Sequence, residues 1–259
     1  MSDGIVDLDD METWPDEVRE QLSRNLDGLV AEYAAQRDFD LSGDRWSQTS
    51  PSKLLTDSAH ELITEHMGRE RLRVFHATRL LDCNEVRVGG LRPLALDERI
   101  QKLRDLAAQG RLPGFNGQID EVIGRVDLTD RFFTIREQLV WATPMRRYLH
   151  DGGCDVFFEH WGGEAVQRLA AMACPELETA IQNIGKAAVV VVNIPALGCC
   201  KAADWRLPPT MLELALEASG QIDVAIGAWD VRTAQAIPAD WIEDIVPPSD
   251  AKLADDRPR

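Results

Sequence analysis

What this 259-residue chain lacks narrows its class before any motif is read. No apolar run approaches the roughly 20 residues of a membrane span, and the strongest, 187–192, is the size of a strand. The opening residues are acidic where a secretory signal would be basic and then apolar, so the expectation is a cytoplasmic protein with no membrane partner. Bases are scarce: 28 Lys and Arg stand against 44 Asp and Glu, a net charge of −16, and the first twenty residues hold eight acids and one base, Arg19. That balance disfavours loose binding to nucleic acid or anionic lipid, whose affinity comes from neutralised phosphates. Five cysteines, at 83, 154, 174, 199 and 200, form no C-x-x-C pair and no zinc-spaced set, which predicts free thiols in a reducing compartment and no metal. No G-x-G-x-x-G follows a strand and no Walker loop is present, nor is there a Ser-His-Asp or His-x-x-x-His pattern. The sequence devices of Rossmann-type dinucleotide folds, P-loop enzymes, triad hydrolases and zinc proteases are therefore missing.

What remains is a chain of ordinary apolar content, long enough for one large domain or a domain with appended helices. Residues 1–12 read as a mobile acidic leader. A helix beginning near Thr13, Pro15 and Asp16 carries Val18, Leu22, Leu26, Leu29 and Tyr33 at helical spacing, and a second runs from Ser50-Pro51 to about His66 with Leu54, Leu55, Leu62 and Ile63 as its apolar side. Between them 39–49 reads as a loop. Leu96, Ile100, Leu103 and Leu106 predict a helix over 97–108, and the glycine-bearing loop 111–117 follows, of the kind that contacts ligand. Residues 119–126 read as a short helix, whereas 131–135, 139–143 and 155–161 read as strands. Gly162-Gly163 then opens a helical stretch over 164–183 that Pro175 restarts. Residues 187–194 form a central strand by their unbroken valines, 205–218 a helix, 222–233 a strand and 237–246 a last short segment. Strands mix with helices without strict alternation, so the fold class is α+β.

The most informative stretch is 71–94, RLRVFHATRLLDCNEVRVGGLRPL. Val74-Phe75 is a β-type run delivering His76 and Thr78 to one end. An acidic-apolar segment follows, and Gly89-Gly90-Leu91-Arg92-Pro93 breaks the chain. A strand-end histidine bonded to backbone is the bland reading of His76. The combination His76-Ala77-Thr78 with Gly90-Leu91-x-Pro93 resembles the opening of ADP-ribosyltransferase domains, which include poly(ADP-ribose) polymerases and DNA-modifying bacterial toxins. Ala77 stands where glycine is commoner, and Val86 or Val88 takes an isoleucine's place. Residues 139–148, LVWATPMRRY, resemble that family's Gly-x-Tyr-Phe-Ala strand, with Trp141 in place of the tyrosine.

The resemblance implies split mixed and antiparallel sheets with surrounding helices. A helical extension over 1–70 would precede a catalytic domain over 71–246 and a flexible tail over 247–259. It also implies an enzyme using NAD as substrate, which breaks the nicotinamide–ribose bond and passes ADP-ribose to a protein, nucleic acid or small molecule, in the manner of toxins or defence effectors. The transition state of such a cleavage is oxocarbenium-like, so the site needs a ribose contact, an aromatic face and a carboxylate. His76 would bond a ribose hydroxyl with Thr78 in support, the backbone at Ala77 would take the nicotinamide carboxamide, and Trp141 would stack on the ring, unless it is a core tryptophan. Arg79 is the nearest of a cluster, Arg71, Arg73, Arg87 and Arg92, able to meet a pyrophosphate; Arg131, Arg136, Arg146 and Arg147 form a second. For the acid, Glu164 has its glycine-flanked setting, though it is also an ordinary first-turn helix acid, and Asp230 has the order of elements near Ile237-Pro238. Glu159 is third, depending on strand alternation. Two other readings stay open: a degenerate module that holds ADP-ribose, nucleotide or protein without turnover, and an NAD glycohydrolase with water as acceptor.

Overall fold

The computed structural model describes residues 4–41, 51–93, 95–136, 138–150 and 152–251. In chain order, β1 (Ile5–Val6) leads to α1 (Asp16–Arg24) and α2 (Leu26–Leu41), and then α3 (Leu54–Met67) precedes the long β2 (Arg71–Leu80). A helical run follows: α4 (Cys83–Gly89), α5 (Leu96–Ala108), α6 (Ile119–Ile123) and α7 (Arg131–Arg136). The short β3 (Val140–Ala142) separates it from α8 (Gly152–Glu159), α9 (Gly163–Ala173) and α10 (Pro175–Gln182). The chain closes with β4 (Lys186–Pro195), α11 (Lys201–Ser219), β5 (Val231–Thr233), β6 (Ile242–Val246) and α12 (Pro248–Ala251).

The strand order is β1-β2-β4-β6, with β3 and β5 forming a second, two-stranded sheet. β1 runs parallel to β2, Ile5 facing Arg71 and Val6 facing Leu72. β6 runs antiparallel to β4, with a register shift between Val191 and Val192. The fold is therefore α+β with a mixed sheet and a small antiparallel one. Among the described residues no helix is long and apolar enough to cross a membrane.

Two compact units divide the chain: residues 1–73 with 194–231, and residues 74–193 with 232–259. This is not the linear division into 1–70, 71–246 and 247–259, because 194–231 belongs with the N-terminal helices. In the first unit α3 packs on α1, α2 and α11. Ile63 and Met67, one helical turn apart on α3, are both fully buried. Leu54, expected on that apolar side, is exposed. Glu32 of α2 accepts from the N–H groups of Leu55 and Thr56 at 3.0 and 2.9 Å, satisfying donors that the first turn of α3 cannot pair internally. Burial pushes the Glu32 carboxyl up, but those bonds outweigh it and hold the group below its ordinary value. The acidic leader is not a mobile tail from residue 5 onward. Val6, Leu8 and Trp14 are buried, and Asp7 meets Arg73 at 3.1 Å while its carbonyl accepts from the Trp14 indole at the same distance.

The second unit is built on a helical core. Leu96, Ile100, Leu103 and Leu106 of α5 meet Leu169 of α9 and Leu177 and Ile181 of α10, as the periodicity predicts for those helices. Leu112 and Phe115 of the loop 111–117 sit in this core, so that loop is an anchor. Two segments expected as strands are helical. At 131–135, Asp130 Oδ1 accepts from the Phe132 N–H at 2.7 Å and starts α7. At 155–161, Cys154, Phe157 and Phe158 pack together on the cluster of Phe75, Leu149 and Val189, and their i, i+3, i+4 spacing is a helix face. Of the strand expected over 222–233 only β5 forms, and 222–230 carry no regular structure; in the first unit Trp229 is held by an indole bond to Thr210 Oγ1 at 3.1 Å. The loop expected over 39–49 begins inside α2, and its remainder lies outside the described residues. Of the expected tail, α12 buries Ala251, and 252–259 likewise lies outside them.

Candidate functional site

Strand β2 alternates across the sheet, so that Ala77 is buried while His76 and Thr78 stay half-exposed on a common face. Phe75 and Thr143 exchange backbone bonds of 2.8 and 2.9 Å, which brings Trp141 of β3 alongside His76. The distance from His76 Nδ1 to the Trp141 carbonyl is 2.6 Å. A carbonyl only accepts, so Nδ1 donates, and the neutral imidazole presents its lone pair at Nε2. Burial pushes the His76 pKa down, the bond to Trp141 pulls it up, and the Arg99 charge pushes it down again; the net shift is downward. His76 is thus a neutral acceptor at pH 7.

The Gly-Leu-x-Pro segment has a steric reason. Gly90 ends α4 at φ 72°, and a Cβ there would lie 2.1 Å from the Ile237 carbonyl oxygen. That close approach lets Leu91 and Ile237 exchange backbone bonds of 2.9 and 2.8 Å. On another side, Gly162 and Gly163 turn the chain from α8 into α9 at φ 84° and 69°. A Cβ on Gly162 would meet Val166 at 2.4 Å. This turn sets Glu164, half-buried, in the first turn of α9.

These elements of the second unit enclose one cleft of about 200 Å³, and His76, Ala77, Thr78, Arg79, Trp141 and Glu164 all line it. Asp230 does not: it is exposed and falls in the first unit. Glu159 is exposed at the end of α8 and also lies outside the lining. The volume falls below the roughly 300–1,000 Å³ of pockets for drug-sized ligands and suits a ring and its sugar better than a whole dinucleotide. Arg232 places its guanidinium 5.0 Å from the Trp141 ring centroid, a cation–π contact that occupies one face of the indole.

Charges on the lining balance in number, but not in how they are engaged. Lys102 pairs with Glu85 at 3.1 Å and Arg92 with Glu98 at 3.6 Å. Arg79 donates to the carbonyls of Ile184, Phe158 and Gly185 at 2.8, 2.8 and 2.9 Å, so every one of its nitrogens already holds backbone. Sequence reasoning singled out Arg79 and passed over Arg99, four residues into α5. Arg99 is half-buried on the lining and makes no hydrogen bond or ion pair among the described residues. Its signal was available: Leu96, Ile100 and Leu103 bury one face of α5, and a basic residue next to that face flanks the glycine break.

Among the described residues no three His, Cys, Asp or Glu side chains are grouped to hold a metal ion, and none of the five cysteines is in a disulfide. The remaining histidines with described side chains, His60, His66 and His160, lie off the cleft lining. His160 is buried with its Nε2 2.9 Å from Gln182. Compared with known proteins, the chain matches no family model, no curated protein and no solved structure.

Proposed function

We propose that the cleft binds NAD by its nicotinamide riboside half and that the protein is an ADP-ribosyltransferase-like enzyme. The observation that carries this reading is the convergence of three side chains far apart in sequence, His76, Trp141 and Glu164, on one cleft. The His76 Nε2 lone pair accepts from a ribose hydroxyl, and the Trp141 indole stacks on the pyridinium ring. As the bond between C1′ of the ribose and the nicotinamide nitrogen breaks, its electron pair goes to the departing ring, which becomes neutral. Positive charge then builds on the sugar, where the Glu164 carboxylate offsets it. The acceptor forms the new bond to C1′ and gives up its proton to Glu164.

The test uses NAD labelled in its adenylate half. Label transferred to a macromolecule with release of nicotinamide supports a transferase, and label recovered only as free ADP-ribose identifies a glycohydrolase of the same site. His76→Ala should weaken NAD binding by at least ~10-fold. Binding of NAD without nicotinamide release, unchanged by His76→Ala, would overturn the proposal and leave a nucleotide-binding module that uses other groups.

A further inference from the structure

We infer that Arg99 is the anion anchor of the cleft, a guanidinium set to grip a phosphoryl group of the ligand. In the version that rests on the NAD reading, this is the phosphate next to the nicotinamide ribose. Four cations line the cleft, and three are engaged: Arg79 by backbone carbonyls, Arg92 by Glu98 and Lys102 by Glu85. Arg99 alone makes no hydrogen bond or ion pair among the described residues, although it is half-buried. A guanidinium does not shed its proton near neutral pH, so the charge remains, in partial isolation from water, facing a cavity. Such an arrangement is costly until an anion arrives, and a planar fork of N–H donors fits a phosphoryl group by two parallel bonds.

The surroundings agree with that role. Burial is the main influence on the Arg99 pKa and lowers it, with Glu98 raising it, Arg92 lowering it and Glu85 raising it. Neither nearby acid is held by Arg99, and each already has its own cation. Arg99 and His76 line the same cleft of about 200 Å³, so the anion and the imidazole acceptor belong to one ligand-sized space. A phosphate bound at Arg99 would sit beside the hydroxyl that His76 takes.

The experiment titrates the full chain with nicotinamide riboside, nicotinamide mononucleotide, NAD and inorganic pyrophosphate, for the wild type, Arg99→Gln and Arg99→Leu. Thermal unfolding checks that each variant folds, and the glutamine keeps hydrogen-bonding capacity if the leucine does not fold. The wild type should bind the mononucleotide more tightly than the riboside by ~10–100-fold, and either variant should erase that difference while leaving riboside binding unchanged. The wild-type preference should also shrink as salt rises. Should no nicotinamide compound bind while pyrophosphate binds the wild type and not the variants, the NAD reading falls and the anchor stands. Equal binding of riboside and mononucleotide, equal losses for both in the variants, or no binding of any phosphate compound would each overturn the anchor.

Discussion

The two sides of the cleft differ in how they are made. One, from β2 through α4, is a continuous stretch whose turn residues, glycines and strand alternation fix it locally. The other, the turn from α8 to α9, is placed by long-range contacts: Phe157 and Phe158 reach the Phe75 cluster, and Arg79 ties the Phe158 carbonyl to those of Ile184 and Gly185. The same division separates Arg79 from Arg99. Arg79 holds the walls of the cavity together, whereas Arg99 faces into it.

That contrast is broken hardest at Gly90. A Cβ 2.1 Å from a backbone oxygen at a positive φ cannot be relieved by a rotamer, so Gly90→Ala should cost ~3–5 kcal/mol in a denaturant titration, against under ~1 kcal/mol for the open Gly89→Ala. Next comes Arg79→Met, which strands three backbone carbonyls. It should lower stability by ~2–4 kcal/mol in the same measurement, whereas Arg99→Gln should leave stability within ~1 kcal/mol and change only anion binding. A smaller effect concerns His76. Its folded pKa lies below the unfolded one, so its contribution to stability is full above about pH 6.5 and is lost as the pH falls toward the folded value. Ligand affinity follows the same sign: flat from pH 8 down past 6.5, then falling by up to ~10-fold per pH unit only once the pH drops below the lowered folded pKa, with His76→Gln abolishing that dependence in a calorimetric titration. The smallest change expected is for Arg232→Ala, which removes the guanidinium from over the Trp141 ring. The cation–π contact is worth ~0.5–1 kcal/mol, and loss of a repelling charge near a bound pyridinium should offset part of it in NAD affinity.

The same distinction explains what the sequence made legible. Local rules placed the stretch from His76 to Pro93, the apolar stripe of α5, the valine strand β4 and the restart at Pro175, because each depends on neighbours a few residues away. They also flagged Glu164, since two glycines before a helix announce a turn that side chains would block. α7 and α8 read as strands in the sequence because six to eight residues rich in phenylalanine satisfy either period. The deciding facts were the Asp130 cap and the distant Phe75 cluster. The leader reads as mobile because its acids conceal Val6, Leu8 and Trp14, whose burial needs partners distant in sequence. Asp230 rested on the order of elements alone, and order does not show that 194–231 packs with the N-terminal helices. Arg99 does not stand out in the sequence, because an arginine in a charged helix face looks like every other until its partners are known.

The most direct test compares two carboxylates of similar sequence appeal. Nicotinamide release from NAD is measured for the wild type, Glu164→Gln and Asp230→Asn, with NAD affinity determined in parallel. The cleft geometry predicts a loss of ~10²–10⁴-fold in turnover for Glu164→Gln at nearly unchanged affinity, and no loss for Asp230→Asn. Full activity in Glu164→Gln, or a loss confined to Asp230→Asn, would contradict the site.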